Sequence, residues 1–335
     1  ARVMASLKDA RATVEFGAER FPALPFELAS MSDGYYLVAV PADQAEALGG
    51  RLVSVGGVTI DEAVTRLGEV ISHENEYGLG ARAADVLLLP HVLQALGLSD
   101  SESSATFEFE AAGSTWSIVL KLGAEAEVAP LARIERAAEP LTARNNERYY
   151  WHQFLPQHGV MYWQVNRCDE DPKHSFADYA AQFLAELDRP AVRRLILDLR
   201  WNHAGQESVA RKVYLAMKRH RLNRPGGILV LVGPGTVGSA QSLALNLRER
   251  TAATLLGRPL GQRENTFGEV REFSSPNYGV GIGYPTKFYA RGSAEAASVQ
   301  PDLPMPLTYE DWRRGLDRAF ESALKIPLDS GGGGG

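Results

Sequence analysis

The chain has 335 residues, 45% hydrophobic and 23% charged, which is enough to build a sizeable core in one to three domains. Its formal net charge of −6 gives no electrostatic reason for nucleic acid or an anionic membrane to be the main partner. One cysteine, Cys168, excludes an intrachain disulfide and a multi-cysteine metal site, and no run of 18 apolar residues offers a spanning helix.

Residues 1–16 begin as a helix through Val3, Met4 and Leu7. Phe21 to Phe26 is an extended, proline-containing segment. Gly34 to Val40 reads as a strand and 43–48 as a short helix. Arg51 to Ile60 reads as a hairpin that turns at Gly56-Gly57. Asp61 stands where a helix cap belongs, with Ala63, Val64, Leu67, Val70 and Ile71 at helical spacing behind it. Residues 82–97 are apolar and helical. Phe107 and Phe109 alternate in a strand over 101–112, which pairs with a second strand over 115–122. Residues 124–148 carry Glu, Arg, Ala, Pro130 and Pro140 and read as a linker. They separate an N-terminal segment (1–30) and a small α+β module (31–123) from a core (149–328). The glycine tail within 329–335 reads as an added linker outside the fold.

The core alternates strand and helix: strand 159–165, helix 175–187 with a Ser cap, strand 195–199, helix 206–220, strand 227–232, helix 239–250 and strand 252–256. This order predicts an α/β fold, a layered core with mostly parallel strands. The strands are apolar almost throughout, as expected for burial on both faces. The aromatic run Tyr149-Tyr150-Trp151-His152, with Tyr162 and Trp163, reads first as core packing and second as an apolar wall for a ligand.

Three segments carry chemistry. Asp198-Leu199-Arg200 runs into Trp201-Asn202-His203-Ala204-Gly205; Thr236-Val237-Gly238-Ser239-Ala240-Gln241 opens a helix; Gly257-Arg258-Pro259-Leu260-Gly261 follows. In order and spacing they resemble the C-terminal-processing (tail-specific) serine protease family, in the branch shared with the tricorn core and interphotoreceptor retinoid-binding protein. Its motifs read D-L-R-x-N-x-G-G, T-F-S-[SA]-A-[EQ] and G-E-P-T-x-G. The resemblance covers about residues 150–320 and implies a ClpP/crotonase-like core. The order of elements over 31–123 is similar to a PDZ-like module, which precedes the core in part of the family.

The same resemblance exposes substitutions where the chemistry belongs. Counting back from Gln241, the family's serine falls on Gly238, which has no side chain to attack with. Ser239 lies one residue on, rotated by about 100° at the start of a helix, and reads first as a cap. The family's lysine base falls on Arg263, and its alternative histidine, in G-D-x-H-T, falls on Arg11. Arginine stays protonated and takes no proton. Asn202, Ala204 and Gly205 occupy the oxyanion turn, with Ala204 in place of a glycine. His203 is the one base within that turn, although a lone loop histidine more often only makes hydrogen bonds. The family's Asp/Arg pair before Pro301-Asp302-Leu303 meets alanines, with Glu295 nearby.

Three readings follow. The first is a homologue with substituted catalytic positions that binds a peptide or a small apolar or carboxylate ligand. Arg11 and Arg263 would supply charge, and Asn202, Ala204, Gly205 and Gly238 would line the site. The second is an active serine peptidase with a rearranged site, Ser239 as nucleophile and His203 as base. The third is a structural or assembly subunit. No cofactor is expected, since no P-loop or G-x-G-x-x-G occurs, and no metal site, since the seven His are scattered and no H-E-x-x-H occurs. Oligomeric state stays open. The chain reads as soluble; the resemblance leaves periplasmic, secreted and cytoplasmic placement open.

Overall fold

The computed structural model describes residues 1–15, 21–122, 131–202, 205–275, 280–291 and 296–328. Contacts within the chain divide it into two compact units. The first joins Ala1–Ala137 to Glu269–Lys287 and Leu307–Arg314; the second joins Ala138–Gly268 to Phe288–Pro306 and Gly315–Gly335.

In the first unit, α1 (Arg2–Ser6) and β1 (Thr13–Glu15) precede β2 (Glu27–Met31), β3 (Gly34–Pro41), β4 (Arg51–Val55) and β5 (Val58–Thr59). Helices α2 (Ile60–Leu67), α3 (Glu76–Val86) and α4 (Pro90–Ala95) follow, then β6 (Ser104–Ala111), β7 (Ser114–Lys121) and β8 (Leu131–Arg133). The strands form one antiparallel sheet in the order β2-β3-β4-β6-β7, with β5 beside β4 and β8 beside β3. Alternation puts Phe107 and Phe109 on one face of β6, both fully buried with Leu37, Leu52, Leu67, Leu87 and Leu93. Phe26 packs edge-on against Phe107 at 5.0 Å between ring centroids.

Two expectations change here. The cap of α2 is Thr59, and Asp61 sits inside the first turn, where its charge favours the helix dipole. The single helix over 82–97 is two. The second starts at Pro90, whose missing N–H suits a first helical position. Asn75 caps α3 by accepting from Gly78 N–H at 2.9 Å.

The second unit is built on β9 (Tyr150–Leu155), β10 (Val160–Val165), α5 (Phe176–Leu187), β11 (Arg194–Asp198), α6 (Glu207–Arg219), β12 (Ile228–Val232), α7 (Ser239–Arg250) and β13 (Thr254–Gly257). Two long strands, β14 (Thr266–Ser275) and β15 (Val280–Tyr289), belong mostly to the first unit and form a three-stranded sheet with β1 in the order β1-β15-β14. Then come β16 (Leu303–Pro304), α8 (Tyr309–Arg313), which belongs to the first unit, and α9 (Arg318–Lys325).

The sheet order is β16-β13-β12-β11-β10-β9, parallel throughout except for the antiparallel β9–β10 edge. The fold class is α/β. Successive residues of the central strands enter opposite cores. Met161, Trp163, Leu195, Leu197, Ile228 and Val230 face one cluster. Tyr162, Ile196, Leu229 and Leu231 face the other, where Ala319 and Ala323 of α9 cover them. Burial on both faces is why these strands read as unbroken apolar runs.

The aromatic run packs on both faces of the sheet: Tyr150, His152 and Trp163 lie against α5, while Trp151 and Tyr162 join the cluster under α9. Trp163 lies 4.1 Å from Phe183 and Tyr150 lies 4.4 Å from Tyr179, centroid to centroid. His152 Nδ1 pairs with the Tyr179 hydroxyl at 2.9 Å. Ser175 caps α5: its Oγ accepts from Asp178 N–H at 3.1 Å and donates to the Asp178 carboxylate at 2.7 Å. Ser175→Ala is expected to cost about 1 kcal/mol in urea unfolding, the usual value of such a cap.

Candidate functional site

The site residues of the second unit hang on the ends of β11, β12 and β13. Asp198 closes β11 with its side chain fully buried, and Arg200 folds back on it. The guanidinium donates from Nε to Asp198 Oδ1 at 3.0 Å, and from one terminal nitrogen to Asp198 Oδ2 and Asp317 Oδ2, each at 2.7 Å. Tyr162 donates its hydroxyl to Asp198 Oδ2 at 2.9 Å, and Thr142 donates to Asp317 Oδ2 at 2.5 Å. Asp317 also caps α9 through Phe320 N–H. Burial pushes the Asp317 carboxyl upward, but Arg200 and Thr142 outweigh it and hold it below the ordinary value. The Asp-Leu-Arg segment is therefore an anchor between a strand end and the last helix.

Asn202 is fully buried. Its Nδ2 donates to the Val165 carbonyl at 3.0 Å and reaches Cys168 Sγ at 3.3 Å. Gly205 has φ +144, and a Cβ there would stand 2.6 Å from the Cys168 carbonyl carbon. Only glycine fits that approach. Burial pushes the Cys168 thiol up to about 11, so it behaves as a small apolar group. His203 and Ala204 lie outside the described residues, as do Glu295 and Asn277.

The turn from β12 to α7 is tied to the turn after β11. Thr236 Oγ1 accepts from Gly233 N–H and donates to the Leu199 carbonyl, both at 3.0 Å. Gly238 then takes φ 59 and ψ −123, a conformation that side-chain-bearing residues enter only under strain. Its N–H donates to Gln262 Oε1 at 2.6 Å. Gly238 holds the cap position, so Ser239 is not the cap but the first residue of α7, its hydroxyl buried beside the Cys168 thiol, the one polar group it adjoins among the described residues. Gln241 Nε2 donates to the Arg263 carbonyl at 2.5 Å, while its Oε1 is buried without a hydrogen bond among the described residues. The Arg263 side chain is exposed.

Asn202, Gly205, Gly238 and Ser239 thus meet around two tied turns, and Arg263 adjoins them through its main chain. Arg11 belongs to the first unit. It is half-buried, and burial lowers its pKa while Asp9 and Glu74 raise it. Its N–H bonds Asp9 Oδ1 at 2.8 Å. Among the described residues no group of three His, Cys, Asp or Glu is placed to hold a metal ion.

Gln262 escaped the sequence reading. The signal was present: the motif that puts lysine at 263 puts a glycine at 262, and here a long amide stands there. Asp302 of the Pro-Asp-Leu segment has a structural role, its carboxylate accepting from Leu255 N–H at 2.8 Å and so holding β16 to β13.

No family profile matches the sequence, and no curated protein matches it. Solved structures do. Mature CPAF complexed with lactacystin is 15% identical over 97% of this chain and 86% of its own, with a TM-score of 0.63. Mature CPAF alone gives the same identity and score over 97% and 85%. The photosystem II D1 C-terminal processing protease is 16% identical over 95% and 85%, at 0.40. CPAF is a protease of the tail-specific S41 type, and the chain has the fold of that family.

Proposed function

We propose that this chain is a tail-specific-protease homologue that binds a peptide-like ligand without hydrolysing it. One observation carries the reading: a glycine occupies the strained strand-to-helix turn that would present a nucleophile. Such a turn is retained in hydrolases because it lifts a serine oxygen into the site. At Gly238 the turn remains and the oxygen is gone. The residue present is also the type for which φ 59 costs least.

The position of Ser239 speaks against the rearranged peptidase. Its hydroxyl is buried beside a thiol whose own pKa is pushed up and bonds no base among the described residues, which do not include His203. The arginine contribution to binding stays part of the proposal for Arg263, whose side chain is exposed. Arg11 already faces two carboxylates.

A fluorophosphonate is expected to leave the intact mass of the protein unchanged. Labelling that disappears in Ser239→Ala would overturn the binding reading in favour of an active peptidase. Gly238→Ser is expected to lose roughly 1–3 kcal/mol in urea unfolding, because a side chain is forced into the turn's conformation.

A further inference from the structure

Three turns meet where the parallel strands of the second unit begin: 156–159 before β10, 188–193 before β11 and 220–227 before β12. The candidate site hangs on the opposite strand ends, and strands of five residues put about 17 Å between the two. The near end is cationic. Arg189, Arg193, Lys218, Arg219 and Arg221 are exposed, with Arg224 half-buried among them. From Ser208 to Arg248 the sequence has seven Lys and Arg and no Asp or Glu, in a chain whose acids outnumber its Lys and Arg by 41 to 35. Main-chain carbonyls brace the guanidiniums. One terminal nitrogen of Arg221 donates to the Leu187 carbonyl at 3.0 Å and the Arg189 carbonyl at 2.7 Å. Arg193 reaches the His158 carbonyl and Arg224 the Arg193 carbonyl, each at 3.5 Å. The carboxylates here are already engaged, Glu186 by Arg189 at 3.6 Å and Asp188 by His220 at 3.0 Å. Arg193, Lys218, Arg219 and Arg221 form no ion pair among the described residues. The crowding reaches buried Arg194, whose pKa is lowered by burial first and then by Arg193 and Arg224. Like charges gathered without counter-charge oppose folding, so stability does not account for the cluster.

We infer that this end of the sheet is a docking surface for an acidic, extended protein segment, separate from the candidate site. Charge complementarity carries the inference, and guanidinium forks match carboxylates in shape as well as sign. The other polyanions fit less well. An anionic membrane takes an apolar anchor beside the cations, and no exposed large hydrophobic residue lies in these turns. Single-stranded nucleic acid takes an open aromatic platform, whereas neighbouring Tyr214 is buried, with the Lys218 ammonium 5.9 Å from its ring centroid. A duplex presents charge over a long front, which the net charge of −6 opposes beyond the patch.

The test titrates the full-length chain against a fluorescein-labelled deca-glutamate peptide and follows fluorescence anisotropy. The parent should bind, with an affinity that falls as salt rises. Lys218→Gln/Arg219→Gln and Arg193→Gln/Arg221→Gln should each weaken binding about tenfold. The first pair leaves the bracing carbonyl contacts untouched, so it reads the surface even where the second unsettles the fold. Arg211→Gln/Lys212→Gln removes the same charge about 9 Å away along α6 and should leave binding unchanged. A parent that does not bind the peptide overturns the inference. So does a Lys218→Gln/Arg219→Gln variant that binds like the parent, and so does equal weakening in all three double variants, which reports net charge alone. Tighter binding of a DNA duplex, or of vesicles with equal parts of phosphatidylserine and phosphatidylcholine, overturns the acidic segment as the occupant and gives the patch to that polyanion.

Discussion

Arg200→Met is expected to destabilise the second unit by about 3–5 kcal/mol, the usual loss when one partner of a buried ion pair is removed. The guanidinium is shared by two carboxylates, and the Asp198 side chain has no exposure to water. Removing the cation leaves Asp198 facing the Tyr162 hydroxyl and its own turn, with no counter-charge within the network. Methionine keeps the apolar stem of arginine, so the loss reports charge and hydrogen bonds more than volume. Urea unfolding measures it. Adding Asp198→Asn and Asp317→Asn to Arg200→Met should recover much of the loss, because the three groups act as one network. A single-variant loss below about 1 kcal/mol would show that the pair adds nothing net.

The same network carries a pH dependence. The Asp317 carboxyl titrates below its ordinary value of 3.8 in the folded chain. A depressed carboxylate contributes stability that is fully present above the unfolded value and is lost as pH falls through the folded one. The parent should therefore lose stability as pH drops below 3.8, and Asp317→Asn should show a shallower acid limb. An unchanged slope would assign acid sensitivity to other carboxylates.

The parallel core was legible because its physics is local. Leu195 to Leu199 and Ile228 to Val232 are apolar at every step but Asp198, and only strands buried on both faces read that way. Fold class followed from their alternation with helices. The turn at Gly238 was legible from its spacing to Gln241. Ser239 is a good cap by type, yet Gly238 holds the cap position and Ser239 the first helical one. What the sequence hid depends on tertiary reach. Nothing local in Gln262 says that its amide crosses to Gly238, 24 residues earlier. The segment from β14 to β15 was hidden too. Its glycines and polar residues give neither a period of two nor one of 3.6, although both strands are long. The cap of α2 was misplaced by two residues because Asp61 is a good cap by type, while the chain enters the helix at Thr59 directly from β5.

Gly257→Ala should cost roughly 2–6 kcal/mol, combining backbone strain of about 1–3 kcal/mol with overpacking of about 1–3 kcal/mol. Gly257 ends β13 at φ +132, and a Cβ there would lie 2.0 Å from the Val232 carbonyl oxygen. Val232 is its partner in the parallel ladder, so the obstacle is backbone rather than a side chain that can turn away. β12 cannot retreat, since both its faces are packed. Gly233→Ala is the control in the same unit. A Cβ at Gly233 meets only Arg200 Cγ at 3.8 Å, and that substitution should shift stability by less than about 1 kcal/mol. The strain at 257 also has a local consequence. Residues 258–261 link Gly257 to Gln262, so a strand end pushed away from Val232 carries the loop with it. In Gly257→Ala the Gly238 amide proton should therefore move upfield, because Gln262 Oε1 withdraws from it. A destabilised protein with an unmoved Gly238 proton would show that the loop absorbs the displacement, and that the glycine serves packing alone.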